Sequence, residues 1–158
     1  MIYNRTQEDV EQAEQIFTTK VLKLMTLNDE EKQVLARGRV TKETLNRIES
    51  KQAEIAEILK KWHYLGDAIT NKEWNTQVFF DEDLTRICEN NKKLRNAFYI
   101  ISQEMRNAVP MFHFEEFNIV EKILAELDLL ISATRKSFKR SGTFAAEQAT
   151  LPLKGVGN

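Results

Sequence analysis

The chain has 158 residues, 42% of them hydrophobic and 30% charged, which is enough for one full core and hardly two. Twenty-three Lys and Arg against 24 Asp and Glu give a formal charge of −1, so no global field draws in nucleic acid or anionic lipid, and any such contact has to be local. The single cysteine, Cys88, excludes an internal disulfide framework and a multi-cysteine zinc site.

Five glycines and two prolines punctuate long uninterrupted stretches that read as helices. The first, near residues 6–25, carries Val10, Ala13, Phe17, Val21 and Leu24 at helical spacing, with Thr6 as its N-cap. A short second helix, near 28–37, starts at Asn28 with Glu31 as its capping-box partner. It stops at Gly38, a residue free to take the left-handed conformation that ends helices. The third, near 41–62, begins after Thr41 and presents Leu45, Ile48, Gln52, Ile55, Leu59 and Trp62 on one stripe.

Tyr64 to Phe80 breaks the pattern and reads as an aromatic-rich irregular connection, with a helical turn capped by Thr70 and Glu73. Asp81 is expected to cap a long helix near 81–107 whose stripe is Leu84, Ile87, Asn91, Leu94, Phe98, Ile101 and Met105. After Pro110, the last helix, near 113–136, presents Phe117, Val120, Leu124, Leu127 and Ile131, with Phe138 a further candidate for the same stripe. The resulting expectation is an all-α bundle of four to five helices over residues 1–136, followed by an extended C-terminal arm, 137–158. The stretch from Arg135 to Lys154 holds Arg135, Lys136, Lys139, Arg140 and Lys154 against Glu147 alone, so this end is basic.

A weak internal repeat runs through the helix starts. Glu43-Thr44-Leu45-Asn46-Arg47-Ile48-Glu49 resembles Glu82-Asp83-Leu84-Thr85-Arg86-Ile87-Cys88, and Phe117-Asn118-Ile119-Val120-Glu121 extends the set. Gln52 and Asn91 occupy equivalent places in it, each interrupting an apolar stripe. Either they meet across the bundle or a subunit interface and fix register, or the stripe surfaces there and water solvates them.

No catalytic constellation assembles. His63 and His113 belong to no metal-ligand spacing, Cys88 has no histidine partner, and Gly155-Val156-Gly157 lacks the following helix that a phosphate cradle needs. The expectation is a non-enzyme without cofactor or metal. The opening residues lack a signal peptide's basic and apolar regions, and no unbroken apolar run reaches the roughly eighteen residues of a membrane span; the chain is expected to be soluble, made in the cytosol and free of membrane partners. Positive charge beside Phe138 and Phe144 invites a nucleic-acid reading, but docking of the arm on a neighbouring protein through Phe144 and Leu151 suits so thin a charge better. Trp62, Tyr64, Trp74, Phe79, Phe80, Phe138, Phe144 and Leu151 are the candidate interface residues, and Gln52 and Asn91 the candidate register pair.

Five stretches stand in order along the chain: Tyr3-Asn4-Arg5-Thr6-Gln7-Glu8-Asp9-Val10; Thr44-Leu45-Asn46-Arg47-Ile48-Glu49; Glu73-Trp74 leading to Asp83-Leu84-Thr85-Arg86 and Leu94-Arg95; Phe117 to Leu124; and Ser137-Phe138-Lys139-Arg140-Ser141-Gly142. Together they resemble helical segments of tail and baseplate structural proteins from phages and prophages of Gram-positive bacteria. The resemblance covers most of residues 3–144 and departs from the family at Arg37-Gly38-Arg39 and at Thr44. It implies a virion component that assembles in several copies with other tail or baseplate proteins, with no catalytic residues to carry over. The alternative is a DNA-associated packaging or head-completion protein.

Overall fold

The computed structural model describes residues 1–66, 68–76, 79–98 and 113–141. Helices α1 (Gln7–Ile16), α2 (Asp29–Gly38), α3 (Lys42–Lys61), α4 (Asp81–Phe98) and α5 (Phe114–Ser141) form an all-α bundle, with no strand among the described residues. α3, α4 and α5 pack on one another pairwise, while α1 packs chiefly on α2. The molecule is therefore a three-helix body with a helical hairpin against it.

The body is closed by the apolar stripes read from the sequence. Leu45, Ile48, Ile55 and Leu59 of α3 meet Leu84, Ile87 and Leu94 of α4 and Phe117, Val120, Ile123, Leu124, Leu127 and Ile131 of α5, with Leu65 and Trp74 from the connection. Removal of such side chains from water is the main force holding the three helices. The hairpin has little of this. Ala13 is the buried hydrophobic residue that α1 supplies, and α2 buries Gly38.

The expected N-caps form at Thr6, Asn28 and Thr41: their side-chain oxygens accept from the N–H of Asp9, Glu31 and Thr44, and the first two complete capping boxes. The first helix does not run unbroken to residue 25; it widens into a π turn over Phe17–Val21. There the Thr18 and Thr19 hydroxyls donate to the carbonyls of Glu14 and Gln15, a competition that loosens a helix. Gly38 is not left-handed but is the last residue of α2. Its missing side chain matters because a Cβ there would lie 2.0 Å from the Asp9 carbonyl oxygen and 2.5 Å from Ala13 Cβ, so α1 approaches α2 this closely only over glycine. Asp81 lies inside α4, and the residue that reaches back is Asp83, whose carboxylate accepts from the Phe80 N–H at 3.2 Å.

The turn expected at Thr70–Glu73 does not form, because its backbone is tied to neighbouring helices instead. At the other end of the chain, α5 continues through Ser141, five residues into the stretch expected to be an extended arm. No glycine or proline interrupts it before Gly142, and Phe138 adds to its packing by meeting the Trp62 ring edge-on at 6.3 Å. The remaining arm residues, with Phe144 and Leu151, and the far part of the helix expected near 81–107, with Ile101 and Met105, lie outside the described residues.

Candidate functional site: two equivalent clamps and an aromatic end

The repeat noticed in the sequence has a structural counterpart. Asn46 and Asn118 hold equivalent positions, and each grips the main chain of one residue in a non-helical segment by both of its polar groups. Asn46 Oδ1 accepts from the Trp74 N–H at 2.8 Å while its Nδ2 donates to the Trp74 carbonyl at 3.0 Å. Asn118 Oδ1 accepts from the Arg5 N–H at 3.1 Å while its Nδ2 donates to the Arg5 carbonyl at 2.9 Å. An amide side chain has one acceptor and two donors, so this pairing copies the hydrogen bonding of a neighbouring strand at a single residue.

One helical turn on, the equivalent glutamates Glu49 and Glu121 take the side chain of that same residue. Trp74 Nε1 donates to Glu49 Oε1 at 2.8 Å, and the Arg5 guanidinium lies 2.7 Å from Glu121 Oε2. Each glutamate also receives the arginine of another copy of the repeat. Arg86 grips Glu49 with both terminal nitrogens at 2.7 Å, and Arg47 reaches Glu121 Oε1 at 2.8–2.9 Å. Glu49 completes its set by accepting from the Lys72 N–H at 2.6 Å. The copy at the start of α4 has Thr85 and Cys88 where the other two have asparagine and glutamate, and it makes no such clamp among the described residues; the copy in α5 has Ile119 in place of the arginine.

Burial makes these contacts consequential. Glu121 is 0% exposed and Glu49 2% exposed, and an ion removed from water is tolerable only when other charges and dipoles surround it. The Glu49 carboxylate raises the Arg86 pKa further, mainly by accepting its hydrogen bonds. Arg5 also donates from Nε to the Arg37 carbonyl at 3.0 Å and from NH1 to the Ile2 carbonyl. It thereby ties the start of the chain, the end of α2 and the start of α5 together. Arg37 in turn holds Asp9 at 2.7 Å. Burial pushes the Asp9 carboxyl up, but hydrogen bonds from Thr6 and Arg37 outweigh it and leave the group below the usual range.

Gln52 and Asn91 are both buried and meet between α3 and α4: Gln52 Nε2 donates to Asn91 Oδ1 at 3.2 Å and to the Ile87 carbonyl at 2.8 Å, and Asn91 Nδ2 donates to the Val120 carbonyl at 3.2 Å. The pair thus touches all three helices of the body. Cys88 is buried beside it on α4, and burial pushes its thiol up to about 12, so it is no thiolate at neutral pH.

The candidate interface residues divide into two groups. Trp74, expected at a surface, is 2% exposed; its indole N–H needed a buried acceptor, and Glu49 supplies one. Phe79 packs partly buried against the core, whereas Phe80 is exposed. Trp62, Tyr64 and Phe138 gather with Phe98 at the far end of the body. Ring centroids lie 5.7 Å apart for Trp62 and Phe98, 5.4 Å for Tyr64 and Phe98, and 6.5 Å for Trp62 and Tyr64, and the Arg135 guanidinium stands 6.0 Å from the Trp62 ring. His63 adopts a left-handed φ of 61°, and the Tyr64 N–H then donates to the Leu59 carbonyl at 2.9 Å. This tight ending of α3 folds Tyr64 back toward Phe98 and leaves it 52% exposed.

No group of His, Cys, Asp and Glu among the described residues is placed to hold a metal ion, and no described helix is long and apolar enough to cross a membrane. Comparison with protein-family models, curated proteins and solved structures finds no match for the chain.

Proposed function

We propose that this chain is a structural subunit of a phage virion, in the tail or baseplate region, that acts as a non-catalytic assembly or adaptor protein through protein–protein contacts. The observation that carries the reading is the aromatic end of the body, where Trp62, Tyr64, Phe98 and Phe138 gather from three helix ends with Tyr64 half in solvent. Clustered aromatics with a partly wet edge and an arginine beside them suit a protein interface. The ordered sequence echoes of tail and baseplate proteins supply the setting. In this reading the aromatic end faces a neighbouring subunit, and residues 142–158, with Phe144 and Leu151, dock on that neighbour.

The test is to look for the chain in purified phage particles by mass spectrometry and to locate a gold-labelled C terminus on electron micrographs. Label at the tail tip or baseplate supports the reading. Particles that lack the chain overturn it, and so does label at the DNA portal together with DNA binding that weakens steeply with salt, which points to packaging or head completion.

A further inference from the structure

Beyond the π turn, the tip of the hairpin is built in a costly way. Leu24 adopts a left-handed φ of 55°, fixed by donation from the Leu24 N–H to the Val21 carbonyl and from the Met25 N–H to the Lys20 carbonyl, both at 3.0 Å. Glycine is the usual residue at such a helix ending, because a side chain there crowds the backbone. The leucine gains nothing in return within its own chain, since it is 94% exposed and flanked by Leu22 and Met25, also exposed. Strain that places three apolar side chains in water is a feature to be explained by something that covers them.

A matching hollow adjoins this knuckle. A groove of about 740 Å³ runs beside the hairpin, its apolar lining made by Phe17, Val21, Leu27, Leu35, Val40 and Phe79, and its charged lining by Glu14 and Arg39, which pair with each other, by Lys32, which pairs with Asp29, and by Glu43. Val21 belongs both to the groove wall and to the turn that carries the knuckle, so the convex and concave apolar surfaces are continuous. From Ile16 to Asn28 the chain carries Lys20, which pairs with Glu31, and Lys23, and no acid; Lys23 is exposed on the knuckle, and Glu43 at the groove is exposed with only Lys42 nearby at 4.0 Å.

We infer that the groove receives the knuckle of a second copy of this chain, and that its own knuckle enters the partner's groove about a two-fold axis. A protruding apolar element beside a hollow of the same character is self-complementary under that symmetry, and the pairing uses every contact twice, including a Lys23–Glu43 contact in each direction. The inference deepens the assembly reading above and rests on its homo-oligomeric part alone.

Sedimentation of the full chain across micromolar to millimolar concentrations tests it. The wild-type chain is expected to dimerise. Leu24→Gly should weaken the dimer at least about tenfold without lowering the thermal midpoint of the monomer, because glycine relieves the strained turn. Lys23→Glu should also weaken it, and the exchange Lys23→Glu with Glu43→Lys should restore it, a rescue that damage to the fold cannot produce. A chain that stays monomeric throughout overturns the inference, as does a dimer indifferent to both Leu24→Gly and the charge exchange, or a monomer whose knuckle binds phosphatidylglycerol vesicles instead. A dimer found with no trace of the chain in virions leaves this inference standing and removes the virion reading; a monomer found in virions does the reverse.

Discussion

The hairpin and the three-helix body are held by different forces. α3, α4 and α5 share a continuous apolar core, so losing one contact leaves many others. α1 and α2 bury little apolar surface and depend instead on the glycine contact at Gly38, on ion pairs such as Arg37 with Asp9 and Lys20 with Glu31, and on Arg5 lodged between Asn118 and Glu121. Apolar packing is distributed and tolerant, whereas a polar latch is local. The lesson is that the hairpin can leave the body without opening its core.

The largest expected effect follows from cutting that latch. Arg5→Ala removes the guanidinium nearest to buried Glu121 and should cost about 3 kcal/mol. Both tryptophans, Trp62 and Trp74, lie in the body, so their fluorescence should change little while far-UV circular dichroism reports loss of the hairpin helices at lower temperature. Coincident shifts of the two signals would break the distinction between the regions. Next comes Gly38→Ala, whose methyl group collides with the Asp9 carbonyl and Ala13. It should destabilise the hairpin by about 1–3 kcal/mol, read as faster amide exchange in α1 and α2 with exchange in α5 unchanged.

Within the body the sharpest probe is the buried amide pair. Gln52→Leu or Asn91→Leu alone leaves a buried polar partner unmet and should cost about 1–2 kcal/mol, but the double variant should cost less than the sum by about 1 kcal/mol. Strict additivity in denaturant titrations would show that the 3.2 Å contact carries no energy.

The smallest effect is a titration. Asp9, Glu31 and Asp83 all have lowered pKa values. For Glu31 the Lys20 hydrogen bond leads; for Asp9 and Asp83 burial raises the value but hydrogen bonds, to Thr6 and Arg37 in one and to Phe80 and Lys72 in the other, outweigh it. A carboxyl whose folded pKa lies below its unfolded one stabilises fully above the unfolded value and loses that contribution as pH falls through the folded one. Two of the three belong to the hairpin, so below about pH 4 helical signal should fall before tryptophan fluorescence shifts. The reverse order would place the weaker region in the body.

Much of this architecture is legible in the residues. The stripes of Leu45 to Leu59 and Phe117 to Ile131 repeat at helical spacing because they face one core, and Thr6, Asn28 and Thr41 cap helices through bonds that reach only three residues. Contacts between distant parts of the chain are harder to read. Arg47, Arg86, Glu49 and Glu121 look like ordinary solvated charges, since a charged residue is usually exposed and nothing local says which distant partner removes it from water. The repeat did hold a signal: Asn46 with Glu49 and Asn118 with Glu121 share one spacing and one task. Trp74 is hard to place from sequence for the same reason. An aromatic in an irregular stretch suggests a surface, and only the buried Glu49 acceptor places it inside. Gln52 and Asn91 were legible as exceptions on their stripes, but their meeting depends on how α3 and α4 align.

The lone cysteine gives this molecule its own clock. Cys88 is sealed within the body and held as a neutral thiol, so an alkylating reagent can modify it only during excursions that separate α4 from its neighbours. Detachment of the hairpin leaves that seal intact. The labelling rate therefore counts openings of the body and is blind to detachment of the hairpin.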